Sequence, residues 1–277
     1  MSAPSIDLEA YFARIGLVGS RKPTLGTLRE LIARHTEAIP FENLSPFLGE
    51  GVKLDIDALQ DKLVRRGRGG YCFEQNLLFS QVLRQVGFDV TWLAARVRWN
   101  VPAGVVTART HMVLHVQIGA ENYLADVGFG GQTPTAPINL ETAAEQPTPH
   151  EAFRLSSAGD AYLLEAKLEG DWQALYVFDL QEQQLADYEV ANWYISNHPR
   201  STFVVGLVAA RSAPLRRHAL RNARYSLYHR DGETEQRILT SVEEFKETLQ
   251  RDFRIRLPKV ASLEDKLSQL IETTQVT

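Results

Sequence analysis

A single cysteine, Cys72, occurs in the 277-residue chain, so any thiol chemistry must take place around it. It lies in the run Arg65-Arg66-Gly67-Arg68-Gly69-Gly70-Tyr71-Cys72-Phe73-Glu74-Gln75-Asn76. Downstream, Phe73, Leu77, Leu78, Val82 and Val86 recur at helical spacing and Gly87 follows, the pattern of a helix buried on one face and stopped by glycine. The spacing predicts that Cys72 sits in the first turn of that helix. Unpaired backbone N–H groups and the positive end of the helix dipole favour an anion there, which for cysteine is the reactive thiolate. Arg65, Arg66 and Arg68 add positive charge nearby. A free cysteine often serves only as small apolar filler, but paired glycines, a helix start and local positive charge together favour a nucleophile.

A thiol that carries an acyl group needs a base within hydrogen-bond reach, and the base needs an orienting partner. Of the seven histidines, His111 and His115 stand on one face of an alternating segment, His111 to Ile118, with Met112, Leu114, Val116 and Ile118 on the other. Asp126 lies on the following segment, Tyr123 to Phe129, after a turn at Gly119-Ala120-Glu121-Asn122. The order Cys, His, acid matches the papain-type arrangement. Pairing Gly119 with Asn122 in a tight hairpin sets Asp126 opposite His115 and leaves His111 about 13 Å along the strand. Simple register therefore prefers His115, and His111 becomes the partner only if Asp126 leaves the ladder or a bulge shifts it. His35, His150, His218 and His229 have no acid close in sequence and are left unassigned. Gly67 to Gly70 lacks the Walker spacing and the Lys-Ser/Thr ending of a phosphate loop. One cysteine, and two histidines too far apart along a strand to share an ion, speak against a metal site.

These residues must be positioned by surrounding elements. Ile6 to Ile15, ended at Gly16, and a segment opened by Pro23 with Leu25, Leu28, Leu31 and Ile32 on one face read as helices. Pro40 imposes an extended turn at Ile39-Pro40-Phe41-Glu42-Asn43-Leu44. Asp55 or Asp57 caps a helix containing Ile56, Leu59, Leu63 and Val64. The first third is thus a helical bundle. After Gly87, strand-like runs at Val90 to Trp99, His111 to Ile118, Tyr123 to Phe129, Ala161 to Leu168 and Trp172 to Phe178 point to an antiparallel barrel or sandwich. Asn192 to Leu207 reads as a loop entering a helical run. Tyr225 to Thr240 reads as a hairpin turning at Asp231-Gly232, Ser241 opens a capped helix, and a last helix spans Ser262 to Thr273.

Hydrophobic content of 44% and charged content of 23% are those of an ordinary globular protein, and a net charge of -4 gives no reason to expect nucleic acid or an anionic membrane as a partner. One cysteine forms no internal disulfide, which suits the cytoplasm. Met1 to Ala10 has neither the basic nor the apolar region of a signal peptide, and no apolar run is long enough to span a membrane.

Five stretches resemble, in order, the motifs of the arylamine N-acetyltransferase family: Ile39 to Leu44, Arg68 to Asn76, Thr110 to Leu114, Asp126 to Gly130 and Ser196 to Phe203. The resemblance covers most of the chain. It implies an α+β fold with an N-terminal helical bundle (1–87), a central antiparallel β-barrel (88–196) and a C-terminal α/β lid (197–277), carrying a cysteine-protease-like Cys-His-Asp arrangement. It also implies the triad Cys72, His111 and Asp126, choosing His111 against simple register. The implied activity is ping-pong transfer of acetyl from acetyl-CoA to an aromatic amine or hydrazine through a Cys72 thioester. Acetyl-CoA is then a substrate, with no permanently bound cofactor and no metal. A cysteine hydrolase or amidase, or a macrocycle-forming amide synthase, would use the same triad. Phe129 and Phe203 match positions lining the family's apolar pocket, to which Phe41, Tyr71 and Val97 are added. The Cys72 backbone N–H and the Thr110 region are candidates for stabilising a tetrahedral intermediate. Glu42 and Arg68 are expected to form a buried ion pair that fixes the loop before Cys72. Oligomeric state is not encoded in any of these features.

Overall fold

Side-chain caps set the helix starts. The computed structural model describes residues 5–19, 21–102 and 104–275, so the first four residues of the Met1 to Ala10 segment lie outside the described residues. Asp7 accepts a hydrogen bond from the Ala10 N–H and begins α1 (Leu8–Ile15), which ends at Gly16 in the left-handed conformation. Thr24 caps α2 (Leu25–Ala38). Pro40 then holds the chain extended into β1 (Phe41–Glu42), and the short α3 (Leu44–Phe47) follows. Of the two candidate caps, Asp55 is the one used, for α4 (Ile56–Leu59), which runs on as a π-helical turn, Gln60–Arg65. The predicted helix after the glycines is α5 (Cys72–Val86), stopped at Gly87 with φ 104°.

The next strands are β2 (Asp89–Val97), β3 (Arg109–Ile118), β4 (Glu121–Ala125), β5 (Ile138–Asn139), β6 (Gln146–Pro147), β7 (Ala152–Ala158), β8 (Ala161–Leu168) and β9 (Asp171–Glu182). They form an antiparallel sheet in the order β5-β4-β3-β2-β9-β8-β7-β6, which closes almost into a barrel. Helices α6 (Leu185–Asn197) and α7 (Thr202–Val205) lead to β10 (Val208–Ala213), β11 (Arg216–Arg221), β12 (Arg224–His229) and β13 (Thr234–Ile238). This second sheet has the order β1-β10-β11-β12-β13, so the N-terminal part contributes its edge strand. It is flanked by α8 (Val242–Arg251), capped by Ser241, and α9 (Ser262–Gln275).

The fold is α+β with the three predicted textures. Two local readings are corrected. Asn192 to Asn197 is the end of α6 rather than a loop, and β7, β10 and β11 are strands where none was expected. The hairpin register also differs by two residues. Ile118 pairs with Glu121 and Gln117 with Asn122, so His115 faces Leu124 and β4 ends at Ala125. The turn is Gly119-Ala120, with Gly119 at φ 63°.

Burial explains how β3 positions the site. Met112, Leu114 and Val116 pack against α5 residues such as Phe73 and Leu77 in the helical core. Val113, on the opposite face, joins Leu93, Leu124, Phe153 and Phe178 inside the barrel. A third core joins Leu44 and Phe47 to the second sheet, α8 and α9.

Candidate active site

The first turn of α5 is anchored from three sides. Arg68 Nε donates to Glu42 Oε1 at 2.8 Å, with side-chain exposures of 6% and 0%, so the expected buried ion pair is present. The Gly69 N–H reaches the same oxygen at 3.3 Å, and a Cβ on Gly69 would lie 2.0 Å from the Pro40 carbonyl oxygen. Only glycine fits this crossing. Gln75 Nε2 donates to the carbonyls of Pro40 and Gly70. Glu74 accepts from the Tyr71 N–H at 3.1 Å and from Lys62 Nζ at 2.6 Å. Burial pushes the Glu42 carboxyl up, but Arg68 and Lys62 outweigh it and hold its pKa down at about 2. Burial raises that of Glu74 despite Lys62.

Cys72 is the first residue of α5 and is buried, with its Sγ 3.5 Å from the Thr110 carbonyl oxygen. Across from it, His111 Nε2–H donates to Asp126 Oδ2 at 2.7 Å, both side chains almost wholly excluded from solvent. Asp126 reaches His111 because it lies just past the end of β4, outside the ladder. His115 is elsewhere engaged, with its Nε2 on Asn122 Oδ1 at 2.8 Å. Structure and simple register therefore disagree, and the pair formed is His111 with Asp126.

Asp126 is also held on its other oxygen. Oδ1 accepts from Asn76 Nδ2 at 3.0 Å and from the Gly128 N–H at 2.8 Å. Asn76 further donates to the Met112 carbonyl and accepts from the Val127 N–H, tying α5, β3 and the segment after β4 together. A Cβ on Gly128 would come within 2.8 Å of Cys72 Cα. Asn76 closes the stretch Arg68 to Asn76, and the sequence alone assigns it no role. Its place one turn after Cys72, on the buried face of α5, was the available signal. Burial lowers the His111 pKa, but Asp126 and then Cys72 outweigh it and raise it to about 10. Burial likewise opposes ionisation of Asp126, and His111 and Asn76 overcome it, lowering the pKa. The imidazole therefore keeps its proton at neutral pH beside a buried sulfur, an arrangement suited to nucleophilic acyl transfer.

Aromatic rings surround this pair. Phe129 lies 5.1 Å from His111 between ring centroids, and Tyr176, which sequence reading missed, lies 4.9 Å from His111 and 5.0 Å from Phe129. On the Cys72 side, Phe203 meets Phe41 at 5.8 Å and Tyr71 at 5.6 Å. The Tyr71 hydroxyl donates to Asn192 of α6. Val97 is half-buried at the end of β2, in register with Tyr176, so it borders the cluster without joining it. Thr110 supplies a carbonyl toward Cys72, while its own N–H is taken by the Ala108 carbonyl at 3.0 Å. That leaves the Thr110 N–H committed rather than free to receive a developing oxyanion. Among the described residues no cluster of three or more His, Cys, Asp or Glu side chains could hold a metal ion.

Comparison with known proteins gives a consistent result. The N-acetyltransferase family model matches residues 24–261. The arylamine N-acetyltransferase of Mycobacterium tuberculosis is 43% identical over 274 residues, covering 96% of both chains. That of Escherichia coli is 41% identical over 247 residues, covering 89% of this chain and 88% of its own. The Mycobacterium marinum arylamine N-acetyltransferase structure in complex with CoA superimposes with a TM-score of 0.92 at 42% identity, covering 95% of this chain and 99% of that one. With its motifs, fold and buried His111–Asp126 pair facing Cys72, this chain belongs to the arylamine N-acetyltransferase family.

Proposed function

We propose that this chain transfers the acetyl group of acetyl-CoA to an aromatic amine or hydrazine through an acetyl thioester on Cys72. The observation that carries the reading is the His111 ring, bound to Asp126 through Nε2 and raised in pKa to about 10 by Asp126 and Cys72 despite burial. Nδ1 is then the nitrogen that exchanges a proton on the sulfur side. In the first half-reaction the Cys72 thiolate attacks the thioester carbonyl, the bond to the CoA sulfur breaks, and CoA leaves with the His111 proton, so that the ring becomes neutral. In the second, the amine nitrogen attacks the Cys72 thioester and gives a proton to His111, restoring the thiolate and the protonated ring. Asp126 keeps the imidazole oriented and stabilises its cation, and Asn76 keeps Asp126 in place.

Phe129 lies against His111, and the half-buried Phe203 packs on Phe41, with Tyr71 fully buried behind it. Together they suit a flat aromatic acceptor, and Val97 borders that slot. The relatives' names and the CoA complex of the Mycobacterium marinum protein support the donor and acceptor classes. No helix among the described residues is long and apolar enough to cross a membrane. We assign the protein to the cytoplasm, in keeping with a lone cysteine that has no disulfide partner in the chain.

Intact-protein mass spectrometry tests the mechanism. Acetyl-CoA alone should release one CoA per chain and leave an acetyl adduct on Cys72 that an arylamine discharges. Continuous CoA release without an amine would instead assign a hydrolase, and a chain with no adduct would remove the thioester.

A further inference from the structure

Away from Cys72, a recess of about 400 Å³ opens between α1, the end of the π-helical turn and the extended segment after α8. Four arginines line it, Arg14, Arg65, Arg254 and Arg256, with Gly67 on its floor. Their charge is poorly balanced. Arg254 faces Glu37 at 3.7 Å, and among the described residues no carboxylate lies within ion-pair distance of Arg14, Arg65 or Arg256. Arg14 is fixed by donating from Nε to the Leu63 carbonyl at 3.1 Å, while its Nη2 is buried with no hydrogen-bond partner. Burial, and then Arg256 and Arg254, hold the Arg14 pKa down at about 10, so the guanidinium groups crowd one another.

The backbone is shaped to allow this crowding. Gly67 has φ 63°, and a Cβ there would lie 2.8 Å from Arg256 Cδ, so the glycine makes room for that side chain. The Arg256 N–H donates to the Gly67 carbonyl at 3.1 Å. Arg254 is itself left-handed, at φ 58°, a conformation that strains a residue with a Cβ. Like charges gathered at a strained bend with an unpaired buried donor are stabilised by a multivalent anion.

We infer that this recess binds a phosphoryl anion, a phosphomonoester or a diphosphate, bridged by Arg14, Arg65 and Arg256. The bound anion links the 254–256 segment to the loop that runs into Cys72 and so steadies the first turn of α5. Inorganic pyrophosphate represents a free anion, and adenosine bisphosphate carries the phosphoryl groups of a nucleotide. Calorimetric titration of the full chain at constant ionic strength with each probe, on wild type and on the double variant Arg65→Gln/Arg256→Gln, tests the inference. Both substituted side chains are exposed, so the variant should fold. Binding by wild type that weakens about tenfold or more in the variant supports the site, and the tighter of the two probes identifies its source as free or nucleotide-borne. No binding of either probe, or equal affinity in the variant, overturns it.

Discussion

Replacing Asp126 with asparagine tests whether the carboxylate is what keeps the imidazole protonated. Burial alone would lower the His111 pKa, yet it stands at about 10 instead of 6.5, with Asp126 as the leading opposing cause at 2.7 Å. At about 1.36 kcal/mol per pH decade, that difference is on the order of 5 kcal/mol in favour of the protonated ring. Asparagine keeps the shape but carries no charge, so burial then dominates and the ring is neutral at pH 7. The rate of the first CoA release, followed by stopped flow with acetyl-CoA alone, should fall roughly 10³-fold or more. Stability gives a second readout. A group whose pKa is raised on folding stabilises fully below its unfolded value and loses that contribution as pH rises through the folded value. The stability advantage of wild type over Asp126→Asn, measured by urea unfolding, should therefore be full between about pH 4, above the ordinary carboxylate range, and about pH 6.5, and shrink toward pH 10 and again in acid as Asp126 takes up a proton. A variant that releases CoA within tenfold of wild type, together with an advantage unchanged across that window, would refute the assignment.

Three further outcomes follow from the same geometry. Glu42→Gln strands the Arg68 guanidinium in a buried site and should cost about 3–5 kcal/mol in urea unfolding at pH 7. Because the Glu42 pKa is depressed to about 2, the wild-type advantage should be complete above about pH 4.5 and fade as pH falls toward 2. A flat difference would assign the cost to packing alone. Gly69→Ala forces a methyl against the Pro40 carbonyl and should destabilise by about 3 kcal/mol or more, with a thermal midpoint equal to wild type counting against the close crossing. His115→Ala removes only a hydrogen bond to Asn122 and should change kcat/KM by about twofold or less, whereas His111→Ala should lower it at least about 100-fold. The reverse pattern would restore the register-based choice.

The elements most legible in the sequence were those whose signals are local. Asp55 and Ser241 each cap a helix, Gly16 and Gly87 each end one, and the alternation in β3 sorts its residues onto two faces. Reading failed where the signal depends on tertiary context. α6 has Tyr188, Ile195, Asn192 and Ser196 buried but Val190, Trp193 and Tyr194 exposed, so no clean apolar stripe marks it. β10 and β11 are built from small and charged residues such as Ala209, Arg211, Arg216 and Arg217. They become strands because the second sheet needs partners, not because of intrinsic preference.

The site shows the same division. Cys72 was legible from its glycines and helix start. The His111–Asp126 pair was legible only through the family motifs and not through strand register, because the turn occupies Gly119-Ala120 and Asp126 falls beyond the ladder, facts that no pattern of alternation contains. Asn76 and Tyr176 matter only through what they touch across the chain.

Over Met112 to Leu114 the strand bearing His111 is buried on both faces. Met112 and Leu114 interlock with helices that precede it, and Val113 turns into the barrel formed mostly by strands that follow. Cutting the chain at either seam would bare the hydrocarbon of Met112, Val113 and Leu114, which are wholly buried in the intact chain. An excised barrel would therefore be prone to aggregate, and two separately expressed halves should regain transfer only on recombining into one hydrophobic whole.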